Sequence, residues 1–225
     1  MNEKTATRLL QKVVEDYDNI STEFDRTRKS DWKEFQSFLP YIKDKDFFID
    51  LGCGNGRLSE FISKQKRIDY LGIDNSRKLL EKAKKNYPER NFEYGDLLNT
   101  NCKNNSADVV AAIASFHHLP SQKLRQASLR EIHRILKKNG IFILSVWNLH
   151  QPKYKKYVWQ ARVRHLLSLG RYDLGDTFIP WGKSGTNRYY HAFTPKKLKK
   201  LLIKNGFKIL EEKIDRNIVL ICQKS

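Results

Sequence analysis

Short apolar runs alternate with longer amphipathic segments along most of the 225-residue chain. The runs that predict strands are FFIDL, DYLGID, NFEY, ADVVAAIAS and GIFILSVW. The fourth run is apolar throughout, which is typical of a strand buried on both faces. The segments between the runs predict helices over 57–65, 76–87 and 121–137. This alternation predicts a Rossmann-like, doubly wound and mostly parallel α/β sheet.

The two ends of the chain extend this pattern. Residues 5–19 place Leu9, Leu10, Val13, Val14 and Tyr17 on one helical face, and a second helix is expected over 31–39, ended by Pro40. FKILEEKI and NIVLICQK predict a C-terminal antiparallel hairpin, giving seven strands in all. The sequence contains no repeat or low-complexity linker, so we expect a single domain over 1–225. Within it, 1–40 is expected to be an N-terminal helical cap and 151–194 a substrate-binding insertion.

Composition narrows the class of protein. The longest fully apolar run, VVAAIA at 109–114, is far shorter than the roughly 20 residues that span a bilayer. The N-terminal residues carry charges throughout, which is unlike a secretory signal. Three scattered cysteines, Cys53, Cys102 and Cys222, argue for a reducing compartment, and no Cys/His cluster has zinc-site spacing. We therefore predict a cytoplasmic protein without a metal.

The positive charge is uneven along the chain. Residues 151–205 contain thirteen Lys or Arg and two Asp, so this segment carries +11 of the net +18. A lysine-rich proteome would make many proteins basic, but concentration in one segment favours a polyanionic partner. Nucleic acid fits that pattern better than a membrane surface, because no strongly amphipathic apolar-and-basic helix stands out.

The segment Asp50-Leu51-Gly52-Cys53-Gly54-Asn55-Gly56 lies where the first strand meets its helix. The nicotinamide fingerprint G-x-G-x-x-G would need glycine at position 57, which is Arg57. The spacing is instead G-x-G-x-G, with Asp50 two residues before the first glycine. Asp74 closes the second strand, where an acid can accept both ribose hydroxyls, and Asp96 closes the third.

These three strand ends resemble the cofactor site of the Rossmann-like, class I S-adenosylmethionine methyltransferases. The resemblance implies that Asp50 accepts the ammonium group of S-adenosylmethionine, that Asp74 binds its ribose and that Asp96 lies by its adenine. The full set of implied cofactor-binding residues is Asp50, Gly52, Cys53, Gly54, Asn55, Gly56, Asp74, Asn75, Ser76, Asp96, Leu97 and Ala114.

Segments outside the glycine turn are more selective. They are FDRTR at 24–28 with the nearby Trp32, FHH at 116–118, VWNLHQ at 146–151, and IPW at 179–181 followed by RYYHAF at 188–193. Over nearly the whole chain they resemble the tRNA wobble-uridine carboxymethyl methyltransferases, in a stand-alone form without the extra domains of animal relatives. The resemblance implies conversion of 5-carboxymethyluridine in the tRNA anticodon loop to its methyl ester. It also implies a small zinc-binding activator subunit, docked at the sheet edge near NFEYGD.

The chemistry of a carboxylate nucleophile suits these residues. A carboxylate has a pKa of about 4, so it is ionised and needs no general base. The site then needs fixed cations and donors, and we predict Arg28, Arg188, His117 and His118 as catalytic residues. Adjacent histidines at a strand end face opposite ways, so we expect only one of them to line the pocket.

The stretch IPWGKSGTNRYYHAF, 179–193, has no helical or strand period and is predicted to be an irregular wall that closes the pocket. One of its two adjacent tyrosines is expected to point inward. The predicted substrate-binding residues are Trp147, Trp181, Tyr189, Tyr190, His191, Lys153, Lys155 and Lys156, with the lysines of 153–156 and 196–200 as phosphate contacts.

Two other functions remain compatible with the sequence. A small-molecule methyltransferase acting on another carboxylic acid would explain the glycine turn and Arg188 but not the localised charge. A non-catalytic S-adenosylmethionine-binding or RNA-binding subunit is disfavoured by the complete glycine motif and its three acids.

Overall fold

The apolar runs of the sequence form a central sheet in the computed structural model, which describes residues 1–28, 30, 32–182 and 184–225. Its strands are β1 (Phe47–Leu51), β2 (Asp69–Asp74), β3 (Asn91–Tyr94), β4 (Ala107–Ile113), β5 (Leu136–Trp147), β8 (Phe207–Ile214) and β9 (Asn217–Lys224). The intervening strands β6 (Asp176–Pro180) and β7 (Asn187–His191) form a separate hairpin.

Within the described residues the sheet has seven strands in the order β3-β2-β1-β4-β5-β9-β8. The pairs from β3 to β5 are parallel, whereas β9 runs antiparallel to both β5 and β8. The order reverses between β1 and β4, which is where ligands bind in open α/β sheets. The predicted doubly wound sheet with a C-terminal antiparallel hairpin is confirmed.

Helices cover both faces of the sheet. They are α1 (Glu3–Thr27), α2 (Arg57–Ser63), α3 (Arg77–Asn86), α4 (Gln122–Ile135), α5 (Lys155–Leu167) and α6 (Pro195–Lys204). One apolar core contains Ile49, Val110 and Leu144, and the core on the opposite face contains Phe48, Val109 and Ile143. Consecutive residues of β1, β4 and β5 therefore enter opposite cores, which explains why these strands are apolar throughout.

The helices before β1 differ from the prediction. Helix α1 extends from Glu3 to Thr27, well beyond the predicted 5–19, and is capped by the Asn2 side chain. The helix predicted over 31–39 is a 3₁₀ helix over Lys33–Tyr41 that contains Pro40 instead of ending before it. Pro40 is the second-last residue of this helix, so its missing N–H removes only one hydrogen bond at the helix end. Residue 31 lies outside the described residues.

The wall predicted as irregular is mostly a β-hairpin. Phe178 pairs with Tyr189 and Ile179 with Arg188, so residues 179–193 include the end of β6, the connecting turn and all of β7. Position 183 of that turn lies outside the described residues. The alternation of β7 was hidden in the sequence because a tyrosine lies on each of its faces, Tyr190 on one and Tyr189 on the other. This alternation of side chains along β7 nevertheless determines which of them line the pocket.

No helix in the described part of the chain is long and apolar enough to cross a membrane. Across residues 1–28, 30, 32–182 and 184–225 there is no group of three or more His, Cys, Asp or Glu that could hold a metal ion.

Candidate active site

One cavity of about 290 Å³ opens at the carboxyl ends of β1, β2, β4 and β5. Helix α1 and strand β7 form its opposite wall, since Tyr17, Arg188 and Tyr190 all line it. Of the predicted site residues, those that line this cavity are Arg28, Asp50, Gly52, Cys53, Gly54, Asn55, Asp74, Asn75, Asp96, Leu97, Ala114, His117, His118, Trp147, Arg188 and Tyr190. Residues more than a hundred positions apart therefore meet in one site.

The glycine turn is tightly fixed against its neighbours. Gly52 has φ +76°, and a Cβ added to it would lie 2.4 Å from the Ser115 Cβ, so no larger residue fits there. The Asp74 carboxylate accepts hydrogen bonds from the N–H of Gly54 at 2.7 Å and of Ser76 at 2.8 Å. Ser76 itself caps α3 and Gly56 is the N-cap residue of α2, so these two predicted residues support the site without lining it.

Asp50 is buried at the floor of the cavity, where it accepts a 2.9 Å hydrogen bond from the Tyr70 hydroxyl. Burial raises the pKa of Asp50 to about 7, and the nearby Asp74 adds to the shift. Each carboxylate oxygen has two lone pairs, so both acids can still accept a ligand donor. Two acids beside the glycine turn favour an ammonium group and ribose hydroxyls, and they disfavour the pyrophosphate of a dinucleotide.

Asp96 completes the acidic rim. Its Oδ1 accepts from the N–H groups of Leu98 and Asn99, which fixes the turn after β3. Leu97 and Ala114 line the cavity close to this rim. Three strand-end acids around an apolar slot fit S-adenosylmethionine, which has an ammonium group, a ribose and an adenine ring.

Arg188 lies on the far wall with a solvent exposure of only 3%. Its Nη1 donates to the Tyr17 hydroxyl at 3.3 Å, and its guanidinium lies 4.5 Å from the Trp181 ring centroid and 5.1 Å from that of Tyr190. Its Nε has no hydrogen-bond partner among the described residues, and none of their carboxylates forms an ion pair with it. The buried Asp16 attracts Arg188 electrostatically, but its ion pair is with Lys12. A buried cation without a carboxylate in direct contact is costly. The wall is therefore suited to an anionic ligand.

Arg28 approaches the same aromatic cluster from the end of α1. Its guanidinium lies 5.0 Å from the Trp181 ring centroid and 5.6 Å from that of Phe24. Burial and the neighbouring Arg188 charge lower the pKa of Arg28. Trp181 does not line the cavity; its Nε1 donates to Glu23 at 2.7 Å, so it supports the two arginines from behind.

His117 and His118 both line the cavity, contrary to the expectation that only one would do so. They lie on a 3₁₀ turn over Phe116–His118 instead of on a strand, so they do not alternate. Burial lowers the pKa of His117 well below its usual value and that of His118 to about 3, so both rings are neutral at physiological pH.

Backbone contacts fix the two histidines in opposite tautomers. The Nδ1 of His118 lies 2.7 Å from the Tyr189 carbonyl oxygen and therefore carries the proton, so its Nε2 accepts from the Tyr17 hydroxyl at 2.7 Å. The Trp147 N–H donates to Nδ1 of His117 at 3.2 Å, so the proton of His117 is on Nε2. That buried Nε2–H has no partner within the described residues, which makes His117 the histidine able to donate to a ligand.

Several predicted substrate residues lie elsewhere because of the alternation along β7. Arg188 and Tyr190 face the cavity, whereas Tyr189 and His191 face the buried Asp176 on the other side. The Tyr189 hydroxyl donates to Asp176 at 2.7 Å, and Nδ1 of His191 lies 2.8 Å from the same oxygen. Lys153, Lys155 and Lys156 are exposed and do not line the cavity.

The contribution of α1 to the cavity was not predicted from the sequence. Leu10, Val13, Val14 and Tyr17 were predicted only as an apolar helical face, yet all four line the cavity. A tyrosine within an otherwise aliphatic face was the available signal, because a buried hydroxyl needs a partner.

The match to known proteins agrees with this site. A family model described as a methyltransferase domain matches residues 49–144. A solved S-adenosylmethionine-dependent methyltransferase of Methanosarcina mazei shares the fold, with a TM-score of 0.73 and 23% identity over 84% of this chain and 96% of that one. A Haloferax volcanii methyltransferase, solved in complex with the Trm112 activator, gives a TM-score of 0.69 and 16% identity over 94% and 97%. The chain therefore contains a methyltransferase domain with the fold of the class I S-adenosylmethionine-dependent methyltransferases.

Sequence relatives identify the family more closely. A protein of Encephalitozoon cuniculi named "Putative methyltransferase" is 30% identical over 87% of this chain and 86% of its own length. The tRNA (carboxymethyluridine(34)-5-O)-methyltransferase of Schizosaccharomyces pombe is 27% identical over 89% and 90%. The Xenopus tropicalis protein of that name is 32% identical over 62% of this chain, which spans only 21% of it. The chain belongs to the methyltransferase family that contains these tRNA carboxymethyluridine enzymes.

If Asp50 binds the ammonium group of the cofactor, as predicted, cofactor affinity should depend on pH. The ammonium group of S-adenosylmethionine stays protonated below pH 7, whereas Asp50 loses its charge as the pH falls through about 7. Affinity should therefore be full above this pKa and fall by up to about 10-fold per pH unit below it. Calorimetry between pH 7.5 and 5.5 checks this, with Asp50→Asn as a weak, pH-independent control. Equal affinity of the wild type at both pH values would contradict the assignment.

Tyr17 should act as a positioning residue through its fixed hydroxyl. Its proton is donated to His118, so its oxygen faces Arg188 as an acceptor. Tyr17→Phe removes this bond to a charged donor, and we expect kcat to fall about 10-fold with unchanged cofactor affinity.

Tyr41→Phe is the matched control for this substitution, because it removes a hydroxyl that bonds Glu211 outside the cavity. Steady-state kinetics with calorimetry separates the outcomes. Unchanged kcat in Tyr17→Phe, or equal losses in both variants, would remove Tyr17 from this role.

Proposed function

We propose that the protein methylates the carboxylate of 5-carboxymethyluridine at the wobble position of tRNA, giving the methyl ester. The observation that carries the proposal is the buried Arg188, which faces the cavity without an ion-pair contact to any carboxylate of the described residues and with its Nε unpartnered. An anionic acceptor group would supply that partner. The names of the relatives support the identity of the acceptor.

The residues of the chain divide the chemical task between the two walls. Asp50, Asp74 and Asp96 would hold the cofactor, and bound S-adenosylmethionine supplies a sulfonium methyl group that a carboxylate oxygen accepts while the C–S electron pair stays on sulfur. Arg188 and Arg28 hold the carboxylate, and the Nε2–H of His117 is a further donor. No proton is removed from a carboxylate at neutral pH, so the neutral histidines act as orienting groups instead of bases.

Aromatic side chains suit the uracil ring. Trp147 and Tyr190 line the cavity with their rings stacked at an interplanar angle of 27° and a centroid distance of 5.0 Å. A base splayed out of an anticodon loop is usually bound against such ring faces. The basic 151–205 segment supplies exposed lysines for the surrounding phosphates, including Lys153 and Lys156.

We also propose how the chain is organised around this activity. Residues 1–40 serve as an N-terminal cap and 151–194 as a substrate-binding insertion of a single domain. The contribution of α1 and β7 to the cavity supports these roles. The protein is proposed to act in the cytoplasm, where a tRNA anticodon loop is accessible.

A small zinc-binding activator is the proposed protein partner. Strand β3 is the edge of the sheet and pairs only with β2 within the described residues, so its other side can accept a further strand. The Haloferax volcanii neighbour was solved in complex with the Trm112 methyltransferase activator. Co-expression and gel filtration test the partnership, and separate elution of the two proteins would contradict it.

The test of the function is incubation of the protein with tRNA that carries 5-carboxymethyluridine and with labelled S-adenosylmethionine, followed by nucleoside analysis. The proposal predicts label in the methyl ester nucleoside. Label that appears only in small carboxylic acids supplied to the same enzyme would favour the small-molecule alternative.

A further inference from the structure

Helix α5 presents an unusual amount of apolar surface to solvent. Only Ala161 of this helix is buried, whereas Trp159 is 65% exposed and Leu166 is 76% exposed. Large apolar side chains that cluster on a surface commonly mark a binding site. No described residue covers Trp159, so the helix has an unpartnered face.

Cations and apolar groups share this face. Lys155, Trp159, Arg162 and Leu166 follow one another at spacings of four, three and four residues, which places them in one row along the helix. We call these four residues the α5 stripe. Residues 155–167 contain no Asp or Glu, so the face is purely cationic in charge.

The order of groups within the stripe distinguishes between two kinds of polyanion. A helix that lies on a membrane separates its apolar face from its cationic face. In the α5 stripe a cation stands on either side of Trp159 on the same face. Alternating cations and a flat ring instead match the alternating phosphates and bases of a single-stranded nucleic acid.

The stripe begins next to the active-site cavity. Trp147 lines the cavity, and the ring of Tyr154, directly before α5, stacks on it at 6.1 Å and 30°. Trp159 lies four residues beyond Lys155, which is about 6 Å farther along the helix axis. An RNA strand with one nucleotide in the cavity can therefore continue along α5.

We propose that the α5 stripe binds the single-stranded nucleotides next to the methylated one. Trp159 stacks on a base, and Lys155 and Arg162 contact phosphates. This inference rests on the proposed function, since it assumes an RNA substrate at the cavity. It adds a stacking platform and Arg162 to the predicted lysine contacts.

The experiment measures binding of a fluorescent anticodon stem-loop by full-length protein. Trp159→Ala should raise the Kd about 10-fold, within the range for loss of one stacked base. The Lys155→Ala/Arg162→Ala variant should also bind more weakly. The slope of log K against the logarithm of the salt concentration should become about 1.4 less steep, because two phosphate contacts are lost. Ile203→Ala removes another exposed apolar side chain, on α6, and should leave the Kd unchanged. Calorimetry should give unchanged S-adenosylmethionine affinity in all variants.

Stem-loop affinity in Trp159→Ala equal to that of the wild type would overturn the proposal. Trp159-dependent binding to phosphatidylserine vesicles, with unchanged RNA affinity, would also overturn it and assign the stripe to a membrane. Failure of the proposed function has a different signature, because the wild type would then bind the stem-loop but form no methyl ester on it.

Discussion

Replacement of Arg188 by alanine is expected to lower kcat/KM for the carboxymethyluridine substrate about 1,000-fold. Arg188 is the buried cation of the substrate wall, and its Nε has no partner in the part of the chain that the structure describes. Loss of one member of a buried charge pair costs several kcal/mol, and about 4 kcal/mol corresponds to this factor. The acids predicted to bind the cofactor lie on the opposite wall, so the Kd for S-adenosylmethionine should change less than about 2-fold. A change that small is well below the tenfold that about 1.4 kcal/mol of binding free energy would give.

Arg188→Lys is the informative companion variant. Lysine keeps the charge but lacks the planar fork that binds both carboxylate oxygens, so activity should recover only in part. Steady-state kinetics and calorimetry on all three proteins provide the measurement. Wild-type turnover in Arg188→Ala would remove this residue from the mechanism, and an equal loss of cofactor affinity would indicate a disturbed fold.

Replacement of Asp74 is expected to have the largest effect on the cofactor. Its two oxygens accept from the N–H groups of Gly54 and Ser76, so the carboxylate fixes the glycine turn as well as offering lone pairs to a ribose. Asp74→Ala loses the two hydrogen bonds to the turn and the lone pairs for the ribose. A hydrogen bond to a charged group contributes about 1.5–3 kcal/mol, so the Kd for S-adenosylmethionine should rise about 100-fold or more.

Asp74→Asn keeps the shape of the side chain and removes its charge. An amide has one acceptor oxygen, so its NH₂ group would face a backbone N–H and affinity should again fall strongly. Asp108→Asn is a control at a carboxylate that bonds Lys137 away from the cavity. Calorimetric affinity for S-adenosylmethionine that is unchanged in both Asp74 variants would contradict the ribose assignment.

The proposed cofactor half of the site was predictable from sequence because its acids lie at or just beyond the carboxyl ends of β1, β2 and β3. In a parallel sheet the carboxyl ends of neighbouring strands meet at one edge, so Asp50, Asp74 and Asp96 had to come together once the strands were identified. The doubly wound sheet and the C-terminal hairpin followed from the same alternation of apolar runs.

The substrate half was less predictable because its geometry depends on contacts distant in sequence. Nothing near Tyr17 indicates that its hydroxyl bonds His118, 101 residues away. The roles of Tyr189 and Tyr190 depend on β7 being a strand that pairs with β6, and on the buried Asp176 taking the Tyr189 hydroxyl. The two histidines face one cavity only because a 3₁₀ turn replaces the expected end of a strand.

The most direct test compares two anticodon stem-loops that differ in one group of the wobble nucleotide. One carries 5-carboxymethyluridine and the other the corresponding carboxamide, and each is incubated with labelled S-adenosylmethionine and the protein, alone or co-expressed with the activator. The arginines and the Nε2–H of His117 are donors, so we expect label on the carboxylate only, in a methyl ester that mild alkali hydrolyses. Alkali-stable label, or equal labelling of the carboxamide, would contradict transfer to a carboxylate held by Arg188.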